Sequence, residues 1–200
     1  MSYRTFLRFA QSFCPMQPAE AAALFAPFRP VPHRRREHVQ QAGELIEDVF
    51  FLESGILRGY YLRPDGAEVT TSFFFGPTLV GDVVGLRDGQ PTLFNLQVLE
   101  AGTLWRGRLA DLDALALHYP VVARFFWKFF EHISRFHHQQ RLEFIYNSPT
   151  ERYVNLLRER PQVIRHVAQR HIASYLGLQP ESLSRIRQRL ARDGFPNPSQ

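Results

Sequence analysis

A chain of 200 residues with 44% hydrophobic content holds enough apolar side chains for one large domain, or for a medium domain and a small one. No stretch approaches the ~18 uninterrupted apolar residues of a membrane-spanning helix, and the single cysteine, Cys14, excludes a disulfide framework or an all-cysteine metal site within one chain. The net charge of +5 sits wholly in residues 150–200, which hold 9 basic and 4 acidic residues, while the other 15 basic and 15 acidic residues cancel. A basic end on a neutral body suits a polyanion partner, with a merely solvated tail as the alternative.

In chain order, "MSYRTFLRFAQSF" carries Arg8 where a signal peptide would stay apolar, so it reads as a first helix of a cytoplasmic protein. "PAEAAALFAPF" reads as a second, opened by Pro18 and stopped by Pro27 and Pro30. From about Val39 to Arg108 short β runs alternate with turns. "DVFFLESG" is a strand that closes on Gly55, and "ILRGYYLRPDGAEVTTSFFF" is a hairpin about Pro64-Asp65-Gly66. "FNLQVLEAGTLWRGR" reads as a further hairpin about Ala101-Gly102. The run Arg34-Arg35-Arg36 reads as a solvated turn before these strands. Short strands with glycine turns imply a small sandwich or jelly-roll barrel.

"LADLDALALHYP" returns to helical spacing and stops at Pro120. The longest predicted helix runs from Val121 to Ser148. On it Val122, Phe126, Phe129, Ile133 and Phe136 recur at alternating spacings of four and three, the pattern of a coiled-coil seam, while Phe125 and Phe130 widen the stripe toward the barrel. The seam is expected to meet a second copy of the helix; packing wholly within one chain is the alternative. Ser148-Pro149-Thr150 is the expected boundary, with Thr150 capping the next helix at "ERYVNLLRERP". The expected organisation is therefore α+β: a β-roll domain with N-terminal helices over 1–120, a connecting helix over 121–148 and a basic helical domain over 149–200. The tail "GFPNPSQ" is expected to fray.

The stretch "HIASYLGLQPESLSRIRQRL" carries the basic charge in an ordered pattern. Ile172, Leu176, Leu183, Ile186 and Leu190 mark two apolar helix faces that can share one core, and Ala173 is small where two crossing helices would touch. Gly177 can take the positive φ of a sharp turn, Leu178 plugs it, and Pro180 pre-sets the first turn of a second helix. This spacing predicts a helix-turn-helix, with Gln169–Leu176 as its first helix and Pro180–Ala191 as its second. On a wheel of 3.6 residues per turn, Glu181, Ser184, Arg185, Gln188 and Arg192 point away from the core, with Ser182, Arg187 and Arg189 on the shoulders. An outward arginine can bond guanine bidentately and a glutamate can accept from the cytosine amino group. Glu181, Ser184, Arg185 and Gln188 are therefore the candidate base contacts, and Gln169, Arg170, Ser182, Arg187 and Arg189 the candidate phosphate contacts. For Glu181 and Arg185 the alternative is an i, i+4 ion pair worth about 0.2–0.5 kcal/mol.

The order of β-roll, long helix and helix-turn-helix resembles the CRP/FNR superfamily of bacterial transcription regulators. "IASYLGLQPESLSRIRQRL" resembles its recognition motif, and "GILRGYYL", "LVGDVVGLRDGQP" and "LQVLEAGTL" resemble its effector domain, together spanning about residues 20 to 190. The resemblance implies a homodimer joined through its long helices, with two recognition helices on palindromic double-stranded DNA. RNA polymerase and a small-molecule effector are the further partners it implies. Members that bind cyclic nucleotides carry Gly-Glu followed about ten residues later by Arg-Ser, the arginine neutralising the phosphate and the glutamate holding the ribose. Here Gly81-Asp82 is followed by Thr92-Leu93, so the pocket is expected to be degenerate and cyclic nucleotide is not the expected cofactor. Arg87 is shifted from the arginine position and reads as a surface residue. Winged members carry a β-hairpin near the recognition helix, and with Gln200 so close behind, the wing is expected to be reduced or missing.

His132, His137 and His138 lie on the long helix without the i, i+4 spacing of two helical metal ligands, and His33, His38, His166 and His171 flank basic stretches, so no metal site is expected. Neither a GxSxG elbow nor a Gly-rich phosphate loop with lysine occurs, and Lys128 is the only lysine, so no enzyme is expected. The competing function is a small-molecule-binding β-roll protein whose basic C-terminal domain mediates protein contacts.

Overall fold

Prolines open most of the helices after the first, because the first turn of a helix has amides to spare and a fixed φ suits it. The computed structural model describes residues 2–193; the expectations for the tail and for any wing beyond the recognition helix lie outside the described residues. Helices α1 (Ser2–Gln11) and α2 (Pro18–Phe25) come first, followed by strands β1 (Arg29–Pro30), β2 (His38–Gln40), β3 (Asp48–Leu62), β4 (Glu68–Phe75) and β5 (Thr78–Val80). A short helix α3 (Val83–Asp88) separates these from β6 (Phe94–Arg108). The remainder is helical: α4 (Leu109–His118), α5 (Pro120–Tyr146), α6 (Pro149–Glu159), α7 (Pro161–His166), α8 (Gln169–Tyr175) and α9 (Pro180–Arg192).

The strands form one sheet in the order β1-β6-β3-β4, with β2 also on β6 and β5 also on β3. Pairing is antiparallel where β1 meets β6 (Arg29 opposite Arg106) and where β5 meets β3 (Phe50 opposite Val80). This is the expected α+β architecture, a jelly-roll-like sheet followed by helices. The β3–β4 hairpin closes at Pro64-Asp65-Gly66, where the Arg63 amide donates to the Ala67 carbonyl at 2.9 Å and Gly66 takes a φ of 82°.

Two strand boundaries differ from the sequence expectation. β3 does not close on Gly55 but continues to Leu62, and "FNLQVLEAGTLWRGR" is one strand, β6, with no turn at Ala101-Gly102. Gly55 and Gly102 serve close backbone approach instead. A Cβ on Gly102 would stand 2.1 Å from the Ser54 carbonyl oxygen, and one on Gly55 would stand 2.7 Å from that of Glu100. The two long strands pass each other where neither could carry a side chain, with Gly55 at a φ of 97°.

The chain divides into two compact units: the residues up to Gly59 with Phe73–Arg135, and Tyr60–Ser72 with the residues from Phe136 onward. In the first, alternate residues of β3 enter different clusters: Val49 and Phe51 join α1, α2, α4 and α5, while Phe50 and Leu52 join Leu57, Leu96, Val98 and Leu104. The first cluster is rich in phenylalanine, with Phe9 edge-on to Phe125 at 6.0 Å and Phe13 edge-on to Phe129 at 5.4 Å.

That packing takes Val122 and Phe129 out of the expected dimer seam. Val122 and Phe129 are 0% and 7% exposed within their own chain, and Phe126 and Ile133 pack partly against the same cluster. Phe9 of α1 and Phe13 at its exit pack on Phe129, which the spacing assigned to a second copy. Phe136 belongs to the second unit, where the Arg160 guanidinium lies 5.4 Å from its ring centre. The exposed face of α5 is a different stripe: Ala123, Trp127, Phe130, Ser134, His137, Arg141 and Ile145.

Candidate nucleic-acid interface

In the second unit a proline again sets the local start. The expected cap at Thr150 is corrected to Ser148: with Pro149 at the first helical position, the Ser148 hydroxyl accepts from the Glu151 amide (3.3 Å) and Glu151 accepts from the Ser148 amide (2.7 Å). Hydrogen bonding to its carboxyl from the Ser148 side chain, and then from the Ser148 amide, holds Glu151 below its ordinary range. A group whose folded pKa is depressed contributes stability above its unfolded pKa and loses it as pH falls through the folded one. The urea midpoint of the wild type is therefore expected to fall more steeply than that of Glu151→Gln as pH drops through the acid side of the glutamate range. Parallel curves for the two proteins would contradict the capping box.

Helices α8 and α9 form the expected helix-turn-helix. Ile172, Ala173, Leu176, Leu183 and Leu190 are buried, and Ile186 is half-buried. Gly177 turns the chain with a φ of 70°, and the Leu178 amide closes the turn on the Ala173 carbonyl at 2.8 Å. The reverse face of α9 presents Glu181, Arg185, Gln188 and Arg192 to solvent, with Ser184 half-buried beside them. The Arg185 guanidinium donates to the Ser182 hydroxyl at 3.2 Å, so Ser182 holds the arginine from one turn earlier.

The phosphate candidates are placed less uniformly. Gln169 and Arg170 are exposed at the start of α8, with Arg170 Nε directed at His171 Nε2 (3.4 Å). Arg187 is half-buried and hydrogen-bonds the Tyr153 hydroxyl, whose pKa burial raises and the arginine lowers. Arg189 donates to the Thr150 hydroxyl at 2.6 Å, which gives Thr150 a part other than capping.

Arg152, Gln140 and Tyr175 also shape this unit, and the sequence pattern did not single them out. The Arg152 guanidinium lies 4.5 Å from the Phe144 ring centre and donates to the carbonyls of Asn147 (3.1 Å) and Leu176 (3.0 Å). It thereby joins α5, α6 and the turn of the motif. Gln140 and Arg160 both donate to the Tyr175 hydroxyl. Burial, with Glu159 beside it, pushes the Glu143 carboxyl up on the same face of α5.

Gly81, Asp82, Thr92 and Leu93 lie in the first unit. Gly81 is half-buried, and Asp82 caps α3 by accepting from the Gly85 amide at 3.2 Å. The Thr92 hydroxyl, 1% exposed, donates to the other Asp82 oxygen at 2.7 Å and accepts from the Phe94 amide (3.0 Å) and the Gln40 side chain (3.2 Å). Leu93 is 72% exposed, and Arg87 turns outward into a bidentate pair with Asp113 (2.6 and 2.7 Å). Thr92→Val is expected to cost about 1–3 kcal/mol in urea unfolding, because it leaves the buried Phe94 amide and the Asp82 carboxylate short of a partner. A loss below a few tenths would show the network to be idle.

Residues 30–119 match the family of the cyclic nucleotide-binding domain. No curated protein sequence matches significantly. Among solved structures, FixK2 of Bradyrhizobium japonicum is similar at a TM-score of 0.72 and 22% identity, over 84% of this chain and 86% of that one. A putative transcriptional regulator of the CRP/FNR family from Eubacterium rectale is similar at 0.70 and 14%, over 90% and 85%. The chain shares the fold of these proteins. A further protein similar to this chain is the c-di-GMP-responsive global regulator CLP of Xanthomonas campestris (TM-score 0.71, 17% identity, 89% of this chain and 93% of that one). Within this fold the matched residues run from Pro30 to the end of α4, and the helix-turn-helix lies beyond them.

Proposed function

We propose that this chain is a sequence-specific, homodimeric DNA-binding transcription regulator, and not an enzyme. The observation that carries the reading is α9: its apolar face is buried by Leu183 and Leu190, and its other face offers Glu181, Arg185, Gln188 and Arg192 to solvent in the part of the chain that holds the excess positive charge. In the major groove Arg185 supplies two donors to guanine, Gln188 a donor to adenine N7 and an acceptor for its amino group, Glu181 an acceptor for cytosine, and Ser184 a shorter contact. Gln169, Arg170 and Ser182 supply phosphate contacts at the start of the two helices, Arg189 a further one from its seat on Thr150, and Arg187 the most constrained one.

The dimer forms through the exposed stripe of α5, with Trp127, Phe130 and Ile145 as its apolar anchors. In the cassette Asp82 and Thr92 satisfy each other where a phosphate would need a cation, so cyclic nucleotide is not the effector. Titration calorimetry with cyclic AMP and cyclic GMP is expected to give no heat. The reading as a whole is tested by competition between one fixed duplex and random duplex at ~0.15 M salt. A specificity ratio of about 10³ or more is expected; binding at roughly 10⁻⁴–10⁻⁶ M on any sequence would instead favour a basic domain built for protein contacts.

A further inference from the structure

β4 ends the strand order of the sheet, so one side of it has no neighbouring strand in that order. An open edge leaves amides and carbonyls of alternate residues without partners. Here one hydroxyl takes their place. Ser174 Oγ, on α8, donates to the Glu68 carbonyl at 2.8 Å and accepts from the Thr70 amide at 2.9 Å. A residue of a parallel neighbouring strand would do the same, its N–H reaching the carbonyl on one side of a residue and its C=O the amide on the other. Thr70 is 3% exposed and Ser72 5%, so the edge is covered from Thr70 onward, while Glu68 and Val69 before it are exposed.

Two further observations give the contact a function. Residues 60–72, the end of the hairpin, group with the helix-turn-helix, although by sequence they lie inside the 30–119 match to the cyclic nucleotide-binding domain. Ser174 also stands one residue after Ala173, whose carbonyl closes the turn into α9, and two before Leu176, whose carbonyl is held by Arg152. Glu181, Arg185 and Gln188, proposed to read bases, remain exposed with the contact made, so it does not mask them.

We propose that the hairpin end and α8 form a latch, closed by the Ser174 hydroxyl, that makes this part of the effector-like domain a working component of the DNA reader. The latch fixes the platform from which α9 is presented, and it is the point at which a change in β3 and β4 reaches the recognition helix. This inference rests on the DNA-reading proposal.

The test uses the full chain and a duplex selected by the wild type. Ser174→Ala is expected to speed hydrogen exchange of the Thr70 amide at least ~10-fold and to weaken binding of that duplex about five- to thirtyfold, the worth of two hydrogen bonds, with the same preferred sequence. Ser174→Thr, which keeps the hydroxyl, is expected to restore both, which separates the latch from a general loss of fold. Wild-type affinity in the alanine variant despite faster Thr70 exchange would overturn the coupling, and unchanged exchange would overturn the latch. A wild type that selects no duplex would overturn the DNA-reading proposal, and the coupling with it, while Thr70 exchange would still decide whether the latch exists.

Discussion

Phe125→Ala is expected to cost about 3–5 kcal/mol of stability, whereas Trp127→Ala, two residues along the same helix, is expected to cost little in the folded chain. Phe125 is 0% exposed between Phe9 and Phe13, so its loss opens a cavity in a cluster that joins α1, α2, α4, α5 and the sheet. A domain of this size is typically stable by only about 5–15 kcal/mol, so the variant should melt far earlier or fail to accumulate. Trp127 is 66% exposed, and its removal takes nothing from that core. It should instead weaken self-association by about 2 kcal/mol or more, as the loss of an aromatic anchor does. Thermal melting together with sedimentation of both variants checks the pair. A Trp127→Ala protein that stays dimeric at wild-type strength, with Phe126→Ala dissociating, would return the interface to the stripe first expected from spacing.

Arg185→Ala is expected to lower specific affinity by about 1–3 kcal/mol per subunit, and so by about twice that on a palindrome, while relaxing base choice at one position in each half-site. The guanidinium is exposed on α9 and is already held by Ser182, so little side-chain entropy is left to lose on binding. The contact is proposed to be to a base, and its removal should leave the affinity for random DNA nearly unchanged. Equal weakening on specific and random duplex, measured by fluorescence anisotropy, would make Arg185 a phosphate contact only.

Which parts of this structure could be read from sequence follows from the range of the interactions involved. The helix-turn-helix was legible because its signals are local: apolar residues at helical spacing, Gly177 in the turn and Pro180 at the next helix. The cap at Ser148 was legible too, had Pro149 been weighed as a first helical residue with Glu151 completing the box. Gly55 and Gly102 were not, since a glycine that turns a chain and one that lets two strands touch look alike until the partner strand is known. The burial of Val122 and Phe129 on α5 was not legible for a related reason. That helix carries aromatic residues on two sides, and only the distant Phe9 and Phe13 decide which side is covered. Ser174 and Arg152 have no local signature at all, because the groups they bind come from β4 and from the turn between α8 and α9. Arg58, 1% exposed on β3, likewise reads as an ordinary strand arginine in sequence.

Selection of bound fragments from random-sequence DNA by the purified chain, at ~0.15 M salt, tests the central claim most directly. The account predicts an inverted repeat whose half-sites lie about one helical turn apart, bound by two copies of the chain. Recovery of an unenriched pool, bound weakly and released by salt, would contradict it.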